Sequence, residues 1–310
     1  MPTWLGRGRR TRVSGAIPAA PAAPAPPVQH VTHALAQWPA FPPAGYLGQL
    51  EDSFQHRVAG ERYGVAREDC DFYHTSVLRS GEVIPGPWDL RGNESEYLGH
   101  VPLAGRRVLE LGPASGYLSF HMEDAGAEVV AFDAGYDVSV NLLPEPGTDM
   151  VWMQTDFMRM INRVQNAWWF LHRDRQSKVR VAYGDIYNLP GDLGTFDVAL
   201  FGSILLHLRD PFRALQQAAV RTTGTMIVTD AIQDTSLPRD DTVMRWAPAK
   251  LTNLSVWWIL TPGAVEQMLT HLGFTRQRRI MHTQTHHLGH DMGAEPIKME
   301  MFTVVGEREQ

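Results

Sequence analysis

Cysteine is nearly absent: Cys70 is the only one in 310 residues. A lone thiol forms no internal disulfide and cannot supply a zinc site that needs two thiolates. A reducing compartment and a cytoplasmic location are expected. No apolar run reaches the length of a membrane-spanning helix, about 20 residues, so no membrane partner is expected. Positive charge is also scarce, with 28 Lys and Arg against 34 Asp and Glu and a net charge of −6. Such a chain has no general attraction for a phosphate backbone, and only a local basic patch would provide one. The start is basic (Arg7, Arg9, Arg10, Arg12), but no apolar segment follows, so a secretory signal is not expected. A P-loop, a G-x-S-x-G elbow and a G-x-G-x-x-G turn are all missing, which argues against P-loop nucleotide hydrolysis, serine hydrolysis and dinucleotide binding.

Proline is concentrated at the start. Pro18, Pro21, Pro24, Pro26, Pro27, Pro39, Pro42 and Pro43 make residues 1–44 an Ala/Pro-rich leader, expected to be disordered or extended. Residues 45–99 carry scattered aromatics and weak periodicity. They are read as an N-terminal cap, with a helix over about 46–60.

Residues 100–310 then become regular. Short apolar strands are predicted at 107–111, 128–132, 179–183, 196–201 and 225–229. Helices are predicted at 117–125, at about 155–176, at 211–221 and from Thr261-Pro262 to His271. Strands alternating with helices imply right-handed crossovers, hence an α/β, Rossmann-like, doubly wound and mostly parallel sheet. Two last strands, 276–285 and 297–305, are expected as an antiparallel C-terminal hairpin at one end of that sheet.

In such a sheet a ligand sits beyond the carboxyl ends of the strands, where the strand order reverses. Four strand ends carry suitable groups. The first is the loop Glu110-Leu111-Gly112-Pro113-Ala114-Ser115-Gly116, with two glycines for a tight turn and a helix start behind it. Asp133 closes the second strand, where a carboxylate accepts hydrogen bonds from ribose hydroxyls. Asp185 and Ile186 follow the third, an acceptor for an amine beside an apolar surface for a ring. Gly202-Ser203 follow the fourth. The glycine spacing suits an adenosyl cofactor that has no pyrophosphate.

From about residue 70 to 306 the chain resembles the class I S-adenosylmethionine (SAM)-dependent methyltransferases. It is most similar to the subgroup of the tRNA wobble-uridine 5-oxyacetate enzymes and related small-molecule methyltransferases. The resemblance rests on Phe72-Tyr73-His74, Pro85 to Arg91, the Glu110 loop, Tyr183 to Tyr187, Phe201 to Pro211, and Trp257-Trp258 before Thr261-Pro262. It implies SAM as cofactor and S-adenosylhomocysteine as product. It places Glu110 to Gly116 against the methionine part, Asp133 against the ribose, and Asp185 with Ile186 against the adenine.

An acceptor with a weakly acidic proton also needs a base. His207 is the candidate base or acceptor contact and His74 a candidate catalytic-site contact to cofactor or acceptor, each set against a purely structural role. Trp88, Arg91, Asp230 and Trp258 are candidate acceptor contacts, each set against packing or capping. Trp168 and Trp169 are expected in the core. His282, His286, His287, His290 and Asp291 resemble a metal cluster in composition only, because strand alternation sends His287 away from His286; no metal is expected. The preferred reading is methyl transfer to a small molecule such as a sugar, glycan or specialised metabolite. The alternative is a tRNA wobble-uridine transferase using SAM or carboxy-SAM, with nucleic acid the less expected partner. A cofactor-free scaffold is disfavoured by the intact strand-end acids.

Overall fold

The computed structural model describes residues 65–135, 142–144, 147–247, 255–287 and 295–309. The leader 1–44, the helix expected over 46–60, His290 and Asp291 lie outside the described residues. The segment before the main fold contributes β1 (Ser76–Val77), β2 (Val83–Ile84), β3 (Trp88–Asp89) and the one-turn helix α1 (Glu94–Tyr97). There follow β4 (Arg107–Leu111), α2 (Tyr117–Asp124), β5 (Glu128–Ala134), α3 (Met150–Arg175), β6 (Arg180–Gly184) and β7 (Phe196–Gly202). The chain continues through α4 (Pro211–Ala219), β8 (Thr222–Ala231), β9 (Met244–Trp246), β10 (Trp258–Leu260), α5 (Pro262–His271), β11 (Arg276–His286) and β12 (Ile297–Glu307).

The main sheet runs β6-β5-β4-β7-β8-β12-β11-β3. Its first five strands are parallel, and β12, β11 and β3 are added antiparallel. The order reverses at β4, between β5 and β7, which makes the end of β4 the switch point. The expected α/β architecture and C-terminal hairpin are therefore present. One connection lies beyond the sequence reading: β3 pairs with β11, Thr285 opposite Asp89 and His286 opposite Trp88.

The central strands are buried almost throughout, and alternate residues feed two cores. Val108, Leu200 and Ile227 face one side, where Phe120 and Met122 of α2 and Trp168 and Leu171 of α3 pack with Leu90 and Tyr97. Leu109, Leu111 and Phe201 face the other, against Leu215 of α4 and Val265 and Leu269 of α5. Helices on both faces are what a doubly wound sheet requires. The caps follow side-chain chemistry. Asp210 accepts from the Arg213 amide and Thr261 from the Ala264 amide, each with proline at the first helical position.

Helix α3 begins five residues earlier than its apolar stripe suggests. Asp149 accepts hydrogen bonds from the amides of Val151 and Trp152 and so starts the helix at Met150. At its other end both expected core tryptophans are buried. The Trp168 ring stacks on His172, and the Trp169 indole donates to the Tyr183 hydroxyl at 2.9 Å. Trp168 is 1% exposed, so Trp168→Ala leaves a large cavity; it should cost about 3–5 kcal/mol of unfolding free energy, read from urea denaturation.

Candidate functional site

A cavity of about 940 Å³ opens beyond the carboxyl ends of β4, β5, β6 and β7. That is near the upper end of ligand-pocket volumes and leaves room for a cofactor and an acceptor together. Its floor carries the expected strand-end groups: Glu110, Gly112, Pro113 and Ala114 after β4, Asp133 after β5, Asp185 and Ile186 after β6, and Ser203 after β7. Trp88, His74 and His207 also line it.

Glu110 is buried and accepts a short hydrogen bond from the Ser119 hydroxyl on α2; that hydroxyl in turn accepts from the Trp168 indole at 3.3 Å. Burial pushes the Glu110 carboxyl up to about 7, with the charge of Asp133 adding to it and the Ser119 bond opposing. Asp133 is held from both sides: the Ala134 amide donates to one oxygen at 2.9 Å and the Gln165 amide of α3 to the other at 3.1 Å. Asp185 accepts from the Tyr187 amide at 2.9 Å.

The loop glycines serve packing more than ligand approach. A Cβ on Gly112 would meet the Ile204 side chain at 2.3 Å, and one on Gly116 the Trp168 ring at 2.5 Å. Both have positive φ, as has the non-glycine Ala114 between them (φ 49) and Ser203 across the cavity (φ 50). Left-handed backbone at non-glycine residues costs of order 1 kcal/mol and concentrates at functional sites.

Five candidate residues lie off the cavity wall. Ser115 is fully buried and turned toward the preceding segment, where its hydroxyl accepts from the His74 amide at 3.0 Å. Gly116 is shielded by Trp168 and Phe120. Arg91 is an exposed side chain clamped on Asp89 by two hydrogen bonds of 2.7 and 2.8 Å. Trp258 donates its indole N–H to the Leu208 and Arg209 carbonyls. Asp230 is buried, with one oxygen bonded to the Ala231 amide and the other without a partner. Among the described residues no three His, Cys, Asp or Glu converge as a metal site.

The two histidines differ. His74 is buried, and desolvation pushes its pKa down to about 3, so its ring is neutral throughout the working range. His207 sits on the 3₁₀ turn Leu205–His207. Its Nδ1 lies 2.9 Å from the Ser255 carbonyl. A carbonyl only accepts, so Nδ1 carries the hydrogen and Nε2 keeps its lone pair. Burial lowers the His207 pKa, which keeps the ring in that neutral form.

Several wall residues lack a motif. Tyr97 reaches Ser203, hydroxyl to hydroxyl, at 3.2 Å, and Tyr73 accepts from the Trp88 indole; burial raises both phenol pKa values. On α3, Met153, Phe157, Met160, Ile161 and Val164 form a stripe over the cavity. Their three-to-four-residue spacing is the only signal in the sequence, and it is the spacing of any core-facing helix. No Lys or Arg among the described residues lines the cavity, while three carboxylates do.

A family profile described as a methyltransferase domain matches residues 93–277. The chain belongs to this methyltransferase family. Its cofactor is therefore SAM, and the chemistry of the lining fits it: carboxylates face a cationic, amine- and hydroxyl-bearing ligand, with apolar surface at Ile186 for a ring. The methyltransferase is 24% identical over 265 residues to a tRNA U34 carboxymethyltransferase of Methylococcus capsulatus, covering 78% of this chain and 73% of that protein. It is 27% identical over 217 residues to one of Trichlorobacter lovleyi, covering 65% of this chain and 58% of that protein. A solved magnesium protoporphyrin IX methyltransferase of Synechocystis with bound SAM is 13% identical, with a TM-score of 0.39 over 69% of this chain and 74% of that one. No helix among the described residues is long and apolar enough to cross a membrane.

Asp230 gives a stability test. Its carboxyl is raised from 3.8 to about 7 by burial, so the folded state holds a proton that the unfolded chain has lost. The contribution is present below about pH 4 and is lost as pH rises through 7. Urea-unfolding stability should therefore decline across that window, and Asp230→Asn should flatten the decline. Equal slopes in both proteins would contradict this assignment.

Proposed function

We propose that this methyltransferase transfers the methyl group of SAM to a uridine at the wobble position of tRNA, with SAM itself and not carboxy-SAM as donor. The acceptor reading draws support from the relatives named tRNA U34 carboxymethyltransferase. The donor reading is carried by one observation: no Lys or Arg among the described residues lines the cavity, and Arg91, the cation that a carboxylated cofactor would have used, is engaged with Asp89 outside it. The carboxylate of such a cofactor, carried on the transferred carbon, would find no Lys or Arg on the described wall to pair with.

In this reading Glu110 and the loop to Ala114 hold the methionine end, Asp133 the ribose hydroxyls, and Asp185 with Ile186 the adenine. When bound, SAM supplies a methyl group on a sulfonium that is already activated for in-line transfer. The protein's share is orientation and proton removal. The neutral Nε2 of His207 would take the acceptor's proton, the bonding pair staying on the acceptor atom. His74 is a positioning residue, tying the preceding segment to the Glu110 loop through Ser115. A cytoplasmic location follows from the same proposal.

A second reading, a small neutral acceptor, is favoured by the apolar stripe of Met153, Phe157 and Met160 over the cavity. Methyl-labelled SAM incubated with unmodified and hydroxylated wobble-uridine tRNA separates the two. Label should enter the tRNA, and His207→Ala should lower kcat about a hundred- to ten-thousand-fold with SAM affinity unchanged. Because burial depresses the His207 pKa below 6.5, the acid limb of the wild-type kcat profile should lie below that pH. Absence of label from every tRNA tested would move the acceptor to the small-molecule class.

A further inference from the structure

Beside the cavity mouth lies a ledge of aromatic rings and uncompensated arginines. Trp246, on β9, is 53% exposed, and it is held edge-on by Trp257 (centroids 5.2 Å apart, 84°) and Trp258 (5.0 Å, 88°). Those two are themselves fixed. Trp257 is 6% exposed and its amide donates to the Leu206 carbonyl, while the Trp258 indole is bonded to the Leu208 and Arg209 carbonyls. The ledge is thus stitched to the turn that carries His207.

Two cations continue it. The Arg209 guanidinium sits 5.9 Å over the Trp257 ring. Arg213, in the first turn of α4, sits 5.6 Å over Tyr187, which lines the cavity. Both arginines are exposed, and neither forms an ion pair among the described residues. The neighbouring carboxylate, Asp210, accepts from the Arg213 amide as the cap of α4. Elsewhere on the described surface, Arg276, Arg278 and Arg279 of the basic run are each paired with Glu or Asp.

An exposed tryptophan leaves apolar ring surface in water, and two guanidinium groups beside it without an ion pair among the described residues give this face local positive charge on an acidic protein. Single-stranded nucleic acid matches both features at once. Its bases stack on aromatic faces whatever their identity, and its phosphates pair with arginine.

We propose that Trp246, Arg209 and Arg213 form a stacking and phosphate-binding ledge for the unpaired loop of an RNA, which presents the neighbouring nucleotide to the cavity. This rests on the tRNA reading above. Trp246 stacks an extruded base flanking the target, and the two arginines hold the phosphates on either side of it. Paired RNA, whose bases are not free to stack, binds weakly.

The test is fluorescence anisotropy with an anticodon stem-loop RNA and a fully paired duplex of equal length, over a series of salt concentrations. Wild type should prefer the stem-loop. Trp246→Ala should weaken it roughly ten- to a hundredfold with the salt slope unchanged, and Trp246→Phe should restore most of the loss. Arg209→Ala/Arg213→Ala should lower the slope of log affinity against log salt by about 1.4, the value for two single-strand phosphate contacts. SAM affinity, measured in parallel, should be unchanged in all variants, since Trp246, Arg209 and Arg213 lie outside the cavity. If wild type binds the stem-loop and every variant binds it equally well with an equal slope, the ledge is overturned and the tRNA reading stands. If wild type binds no RNA at all, the tRNA reading itself is wrong, and the ledge with it.

Discussion

The buried hydrogen-bond chain from Trp168 through Ser119 to Glu110 fastens three elements at one point. It ties the end of β4 to α2 and α3 at the place where the strand order reverses. The carboxylate is kept there at a cost, since burial raises its pKa to about 7. A buried acid that the fold does not neutralise with Lys or Arg is poor material for stability and good material for holding a cationic or amine-bearing ligand. The rest of the site follows from that placement. Asp133 and Asp185 lie on the adjacent strand ends because the sheet is parallel, and Gln165 of α3 aims Asp133.

The strand-end carboxylates occupy the floor. Tyr73, Tyr97 and His207 come from the segment before β4 and from the turn after β7, and they complete the lining. His207 owes its free Nε2 to a single carbonyl, that of Ser255, across a break in sequence of nearly fifty residues. The absence of a cation from the described wall bears on the donor: it suits a sulfonium and does not suit a second carboxylate on the cofactor.

Much of this was legible in the sequence, because strand ends are marked by punctuation. Gly112 after Leu111, Asp133 after Phe132 and Asp185 after Gly184 are found where the apolar runs stop. What was not legible depends on direction. Ser115 sits inside the cofactor motif, yet the tight turn sends its hydroxyl to His74. Asp230 lies at the end of β8 as Asp133 does at the end of β5, but it is buried off the cavity wall. Arg91 was read as an acceptor contact, but Asp89, two residues away, takes two of its hydrogen bonds. Trp246 carried no signal at all, since an exposed tryptophan and a core one look alike in a sequence.

The proposal that the acids at the strand ends hold SAM comes down to a binding measurement. Calorimetric titration of SAM and S-adenosylhomocysteine into wild type and Asp133→Ala tests it most directly. Micromolar binding of both ligands to wild type is expected, with a loss of at least about tenfold in the variant, the effect of removing charge-assisted hydrogen bonds to ribose of about 1.5–3 kcal/mol. Failure of wild type to bind either ligand, or an unchanged affinity in Asp133→Ala, would contradict it.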